Sequence, residues 1–355
     1  MSTAQKTIAI AAGGTAGHVV PALAVADALR AEGAQITFIG GARAEAQLVP
    51  AAGYPFHAIA VEGLSRTSRV HAARALLRAA RATARAHTLL GELQPDAVMG
   101  GGGYVAGPVG VAALARRIPL VLSEADSHLG LTNRLLARFA RRVCLAFPIA
   151  GREGARYRLT GRPIPAVAVE RADARERFGI GPEETCVLVF GGSLGARTLN
   201  QAALGAFSSA AFHVLHVCGE RDYPELSLQP LPAGYDLREY LDIEEFTAAL
   251  AASDLVVARA GGSLFEIAAR GLPAILVPYP HASADHQSAN ARWMSEAGAA
   301  VVVEDSQLSA SRLAREVAEL LANPSRLSAM ANASRRLARP NAARDIAAEL
   351  LEAAG

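Results

Sequence analysis

Thr7-Ile8-Ala9-Ile10-Ala11-Ala12-Gly13-Gly14-Thr15-Ala16-Gly17-His18 decides the fold, because its phrase returns past mid-chain as Cys186-Val187-Leu188-Val189-Phe190-Gly191-Gly192-Ser193-Leu194-Gly195. Each copy is a short apolar run, a glycine turn and then a helix-like stretch. Glycine lets the backbone approach a ligand closely, and the free N–H groups at a helix start attract anions. Two copies predict two similar nucleotide-fold domains of the α/β class facing each other across a cleft.

The flanking sequence agrees. Short apolar strands are expected at Thr7–Ala12, Gln35–Ile39, His57–Ala60, Ala97–Met99, Leu120–Leu122, Arg142–Leu145 and Tyr157–Leu159. Helices starting near Val20, Ala42, Arg69, Gly107 and Leu131 separate them. Such alternation predicts a doubly wound parallel sheet. Gly161-Arg162-Pro163-Ile164-Pro165 breaks the pattern as a stiff linker. The scheme then restarts with strands at Cys186–Phe190, Phe212–Val217, Tyr235–Glu239, Leu255–Ala258, Ala274–Val277 and Ala300–Val303. The expected division is a first domain over 1–162, a second over 163–338 and a terminal helical segment over 339–355.

A length of 355 residues suits two domains, and a net charge of +2 gives no reason to expect nucleic acid. Cys144, Cys186 and Cys218 are far apart and odd in number, which reads as buried thiols in a reducing compartment. The first residues lack a basic leader, so no signal peptide is expected. Val98–Ala115 is uncharged, but its six glycines and Pro108 read as strand, loop and helix rather than a membrane span.

In an open parallel sheet, ligands sit beyond the carboxyl ends of the strands. Gly13–Gly17, Gly100–Gly103, Gly191–Gly195 and Gly261-Gly262 all fall at such ends. The first loop lacks the dinucleotide spacing, and Phe38-Ile39-Gly40-Gly41-Ala42-Arg43 ends the second strand without an acid for a ribose. A dehydrogenase is therefore disfavoured, and the absence of Gly-Lys-Ser/Thr excludes a P-loop enzyme. His18 follows the first loop, where the helix dipole favours a neutral imidazole that can act as a general base. Arg259-Ala260-Gly261-Gly262-Ser263-Leu264-Phe265-Glu266 opens another helix, with Glu266 placed to accept from a ribose diol. No Asp-x-Asp occurs, which favours a site without metal or other cofactor, where helix starts and Arg259 neutralise a departing diphosphate.

Gly13-Gly14-Thr15-Ala16-Gly17-His18-Val19-Val20-Pro21, Gly102-Gly103-Tyr104-Val105-Ala106-Gly107-Pro108, Gly130-Leu131-Thr132-Asn133, Gly191-Gly192-Ser193-Leu194-Gly195-Ala196-Arg197 and Arg259-Ala260-Gly261 with Glu266 and Gln287 follow in order. Together they resemble the peptidoglycan N-acetylglucosaminyltransferases of glycosyltransferase family 28, which convert lipid I to lipid II. The resemblance covers nearly the whole chain. It implies a GT-B fold of two Rossmann-like domains. The implied donor is UDP-N-acetylglucosamine, bound mainly by the second domain, and the implied acceptor is undecaprenyl-linked lipid I, met by the first. The last helix would cross back to the first domain. His18 would be the catalytic base, with Thr15, Ala16, Gly17 and Tyr104 on the acceptor side. Ile243 would meet the uracil through its backbone and Glu266 the ribose, Ser193 and Gly261, Gly262 and Ser263 would face the diphosphate, and Gln287 would hold the sugar.

Several positions depart from the family pattern. Ala16 replaces a usual glycine, and Asp126 stands where the family has an asparagine that contacts the donor sugar. Gly161-Arg162-Pro163-Ile164-Pro165 lacks the usual arginine, whose role passes to Arg162 if to any residue. The loop from Arg259 to Glu266 is one residue short, so the register of Gly262, Ser263 and Leu264 is open.

A lipid acceptor implies a peripheral place on the cytoplasmic face of the plasma membrane, among cell-wall synthesis or division proteins. Arg74, Arg78, Arg81 and Arg85 share a helical face, with Arg66 and Arg69 upstream and Leu76, Leu77, Leu89 and Leu90 as nearby apolar surface. That face would suit an anionic membrane surface. The rival readings are another GT-B enzyme on UDP-N-acetylglucosamine, with a different lipid acceptor or as a 2-epimerase, and a non-catalytic sugar-nucleotide sensor.

Overall fold

The computed structural model describes residues 5–61, 69–192, 194–282 and 285–355, with backbone alone over 69–76. Ser193, Arg66 and the side chains of Arg69, Arg74 and Leu76 therefore lie outside the described residues. The chain forms two compact units, 1–165 with 339–355, and 166–338.

Unit 1 carries seven strands: β1 Thr7–Ala11, β2 Gln35–Gly40, β3 Phe56–Ala58, β4 Ala97–Gly100, β5 Leu120–Glu124, β6 Arg142–Leu145 and β7 Tyr157–Leu159. Their order is β3-β2-β1-β4-β5-β6-β7, and every pairing is parallel. Unit 2 carries β8 Cys186–Phe190, β9 His213–Val217, β10 Tyr235–Arg238, β11 Leu255–Ala258, β12 Ala274–Leu276 and β13 Ala300–Val302. Their order, β10-β9-β8-β11-β12-β13, repeats the first scheme and is again wholly parallel. Strand order reverses between β1 and β4 in one sheet and between β8 and β11 in the other. Each unit thus has one topological switch point, the usual ligand crevice of such a sheet.

The central strands β1, β4, β8 and β11 are almost wholly apolar because helices cover both faces. Ile8 and Ile10 point to one face, with Val19, Val25 and Leu29 of the helix Ala16–Ala31 and Ile346 and Leu350 of the helix Ala342–Ala354. Ala9 and Ala11 point to the other, with Leu89, Leu90, Val105 and Val109. β8 alternates likewise, Cys186, Leu188 and Phe190 against Val187 and Val189. The terminal helix Ala342–Ala354 therefore belongs to the core of unit 1, and Glu349 secures it by ion pairs of 2.7 Å to Arg142 and 2.9 Å to Arg158.

The three cysteines are buried and free. The uncharged stretch after residue 97 resolves into β4, a glycine loop and the helix Ala106–Ala115. Among the described residues no helix is long and apolar enough to cross a membrane. The helix expected near Val20 begins earlier, at Ala16, with Thr15 as its extended N-cap. The glycine at 17 does not delay it, because glycine adopts helical backbone angles without strain and only at an entropic cost. His18 consequently lies inside the first turn.

Leu89 and Leu90 were expected as surface beside the arginines, and the structure corrects this: both are buried. Ala82, Ala86, Leu89 and Leu90 form the core-facing stripe of the helix Arg69–Leu93, and Arg81 and Arg85 are exposed beside it.

Candidate active site

The four glycine loops pair off at the two switch points. In unit 1, the loops after β1 and β4 touch each other. Gly103 has φ +75°, and a Cβ there would lie 1.9 Å from the Gly13 carbonyl oxygen, so only glycine permits this approach. In unit 2, Gly195 has φ +74° and meets the Cys218 carbonyl just as closely.

Pro21 explains a central contact of unit 1. A proline has no N–H, so the carbonyl four residues back in its helix loses its partner. That carbonyl belongs to Gly17, and Nη2 of buried Arg162 donates to it at 2.5 Å. Arg162 thereby stands beside His18. Burial depresses the His18 pKa below its ordinary 6.5, the Arg162 charge depresses it further, and Asp126 opposes both. Nδ1 of His18 is buried without a hydrogen-bond partner among the described residues. Its ring packs under the β4 loop, where a Cβ on Gly102 would lie 2.8 Å from Nδ1. The result is a neutral imidazole at a helix start, which is what a general base requires.

Thr15, Ala16 and Gly17 are exposed, and the Thr15 side chain makes no cap bond. The Ala16 and Gly17 N–H groups have no acceptor within this helix, while His18 N–H donates to the Thr15 carbonyl at 3.0 Å. Gly14 is different, and here the expectation of a free phosphate loop needs correction. Its N–H donates to Oε2 of Glu45 at 2.8 Å. Oε1 of Glu45 accepts from Gly41 N–H and from the Tyr104 hydroxyl, both at 2.9 Å. Burial opposes ionisation of Glu45, but these donors outweigh it and hold the carboxyl below its usual range. Burial and the Glu45 carboxylate push the Tyr104 phenol up to about 12. The sequence reading missed Glu45, whose one signal was an acid placed just after the Gly40-Gly41 strand end.

Asp126 sits on the loop after β5, shaped by buried Glu124. This carboxylate accepts from Asp126 N–H at 3.2 Å, Gly130 N–H at 2.9 Å and Asn133 Nδ2 at 2.9 Å. Burial raises its pKa more than these bonds lower it.

In unit 2, Arg259 directly follows β11 with its guanidinium buried and committed. It pairs with Asp305 at 2.6 Å, donates to Thr198 Oγ1 at 2.7 Å and donates to the carbonyls of Val277 and Pro278. Thr198 in turn donates to Asp305 at 2.7 Å. Arg259 therefore ties the helix Arg197–Ala206 to the ends of β11 and β12. Gly261, Gly262 and Ser263 are half-buried, and Asn290 Nδ2 donates to the Ala260 carbonyl at 3.1 Å beneath them. Leu264 is buried and points to the core, while Glu266 is half-buried in the first turn of the helix Leu264–Arg270. The Gln287 carbonyl accepts from Tyr279 N–H at 3.0 Å, which leaves its amide NH2 as a donor. Ile243 is exposed and starts the helix Ile243–Ala252, so its own N–H has no acceptor within that helix. Asp242 and Glu245 form a capping box that fixes this helix start.

The structure thus gathers Thr15, Ala16, Gly17, His18, Tyr104, Asp126 and Arg162 in unit 1, and carries Ile243, Arg259, Gly261, Gly262, Ser263, Glu266 and Gln287 on strand-end segments of unit 2.

Two parallel-sheet units, each with glycine loops at its switch point, make this a GT-B glycosyltransferase fold. The chain belongs to glycosyltransferase family 28, whose N-terminal domain matches residues 8–145 and whose C-terminal domain matches residues 186–350. It is 43% identical over 343 residues to the UDP-N-acetylglucosamine–N-acetylmuramyl-(pentapeptide) pyrophosphoryl-undecaprenol N-acetylglucosamine transferase of Moorella thermoacetica, covering 91% of this chain and 92% of that one. It is 41% identical to the protein of the same name from Acidithiobacillus ferrooxidans, with 98% of both chains covered. The crystal structure of Acinetobacter baumannii MurG superposes with a TM-score of 0.79 at 31% identity, over 98% of this chain and 99% of that one. A UDP-GlcNAc 2-epimerase from Neisseria meningitidis, at 14% identity and a TM-score of 0.66 over 98% of this chain and 100% of that one, shares the fold alone.

Proposed function

We propose that this chain transfers N-acetylglucosamine from UDP-N-acetylglucosamine to the 4-hydroxyl of the N-acetylmuramoyl unit of undecaprenyl-linked lipid I, with inversion, giving lipid II for the cell wall. The observation that carries this reading is the identity of 38–43% over at least 90% of the chain to relatives named for that transfer. Unit 1 receives the acceptor and unit 2 the donor. His18 takes the proton of the attacking hydroxyl as its oxygen bonds the anomeric carbon. The C–O bond to the diphosphate breaks, and UDP leaves with the electron pair. Helix-start N–H groups of unit 2 meet the growing charge.

Incubating the protein with labelled UDP-N-acetylglucosamine and a lipid I analogue tests this. Label in a disaccharide-lipid product is expected. Epimerisation of the nucleotide sugar without acceptor, and no disaccharide, overturns it.

Glu266 on the ribose supplies a second check. Glu266→Ala should weaken UDP binding by roughly tenfold to a hundredfold, the size of lost hydrogen bonds to a charged group. Calorimetric titration reads this directly, and an unchanged Kd removes Glu266 from the donor site.

The protein acts at the cytoplasmic membrane surface through unit 1. Val111, Leu131, Leu135 and Phe139 are exposed together with Leu77, on or next to the adjacent helices Arg69–Leu93, Ala106–Ala115 and Leu131–Leu136. Exposed Arg78, Arg81 and Arg85 flank them. Basic residues near anionic lipid contribute about 1 kcal/mol each. Reversing these three arginines to glutamate should weaken binding to phosphatidylglycerol vesicles by about a hundredfold. Flotation that is unaffected by the reversal rejects this surface.

A further inference from the structure

We infer that Glu45 is a positioning residue for the acceptor half of the site, its buried carboxylate fixing the first glycine loop and Tyr104 as one unit. This rests on the transfer reading above. Glu45 is wholly inaccessible to solvent, yet it makes three hydrogen bonds to three separate segments: the loop after β1, the end of β2 and the loop after β4. The glycines around it are the space it fills. A Cβ on Gly13 would lie 2.7 Å from Oε1, and a Cβ on Gly41 would lie 3.0 Å from Oε1 and 2.3 Å from the Tyr104 hydroxyl.

The first glycine loop therefore holds an anion of its own. With Gly14 N–H already donated to this carboxylate, that group is not available to a ligand. Tyr104 is held by its hydroxyl, and the Arg43 guanidinium lies 5.1 Å from the centre of its ring. The ring is thus fixed from two sides before substrate arrives.

Glu45→Gln, Tyr104→Phe and the double variant test this in the full-length protein. Each single change should raise the acceptor KM roughly tenfold, while kcat falls less and UDP affinity is unchanged. The double variant should be no worse than the worse single, because the two side chains act as one unit. In Glu45→Gln the Tyr104 phenol should titrate below about 12 but, still buried, above its ordinary 10, read by ultraviolet absorbance as a difference from the variant that also carries Tyr104→Phe. Unchanged acceptor KM, additive losses, or a fall in UDP affinity matching the fall in activity each overturn the inference. Should Glu45→Gln fail to fold, Tyr104→Phe alone still decides through its KM-against-kcat split. Should the transfer reading itself fail, the unaltered protein makes no disaccharide, while the tyrosine titration still reports the Glu45–Tyr104 contact.

Discussion

His18→Ala should lower kcat by roughly two to four orders of magnitude, the usual contribution of a positioned base, and leave UDP affinity unchanged. In the proposed reaction the donor binds unit 2, whereas His18 belongs to unit 1. The prediction also has a pH arm. A base must be neutral, and burial with the Arg162 charge depresses the His18 pKa from 6.5. The acid limb of kcat/KM should therefore fall below pH 6.5. Arg162→Gln keeps a donor for the Gly17 carbonyl but removes the charge, so the limb should move upward in pH. Single-turnover and pH-rate measurements check both arms. Turnover that survives in His18→Ala removes it as the base, and an unmoved limb in Arg162→Gln removes the electrostatic argument.

Arg259→Met should cost unit 2 about 3–5 kcal/mol, because Asp305 is left with an uncompensated charge in a largely buried place. Side-chain exposures of 8% and 17% for the pair put it in that regime. For a domain of this size the loss lowers Tm by on the order of 10 °C. Thr198 loses the hydrogen bond from Arg259 and keeps only its bond to Asp305, so the helix after the Gly191–Gly195 loop loosens and UDP affinity falls with stability. Adding Asp305→Leu should recover most of the Tm, since removing both charges is far cheaper than removing one. Calorimetry of the single and double variants decides the matter. An unchanged Tm in Arg259→Met would mean that the ion pair contributes nothing.

The fold was legible because it is written locally. Apolar runs such as Val187–Phe190 and glycine turns such as Gly13-Gly14 are contiguous, and both parallel sheets follow from their alternation with helices. The amphipathic face of the helix Arg69–Leu93 was only half legible. Its arginines were placed outward, but Leu89 and Leu90 were assigned to the surface although their spacing from Ala82 and Ala86 puts them on the core stripe. Glu45 had one faint signal, its place just after the Gly40-Gly41 strand end, and was missed. Its partners Gly14, Gly41 and Tyr104 stand 31, 4 and 59 positions away, and only the folded sheet brings them together. Asp305 is similar, since nothing near it in sequence announces Arg259. Arg162 is instructive in another way. Its side chain is engaged by a carbonyl that Pro21 leaves open, a relation between two prolyl-flanked segments that no local pattern encodes.

Ile346, Ala347 and Leu350 complete the hydrophobic interior that β1 and β2 begin, although residues 166–338 intervene in the chain. During synthesis unit 2 therefore emerges whole and can fold as one continuous piece. Unit 1 waits, with Ile8, Ile10 and Phe38 lacking part of their cover, until the ribosome has finished everything in between. A ribosome stalled anywhere within unit 2 would present an incomplete first unit, sticky on one sheet face and a natural client for chaperones.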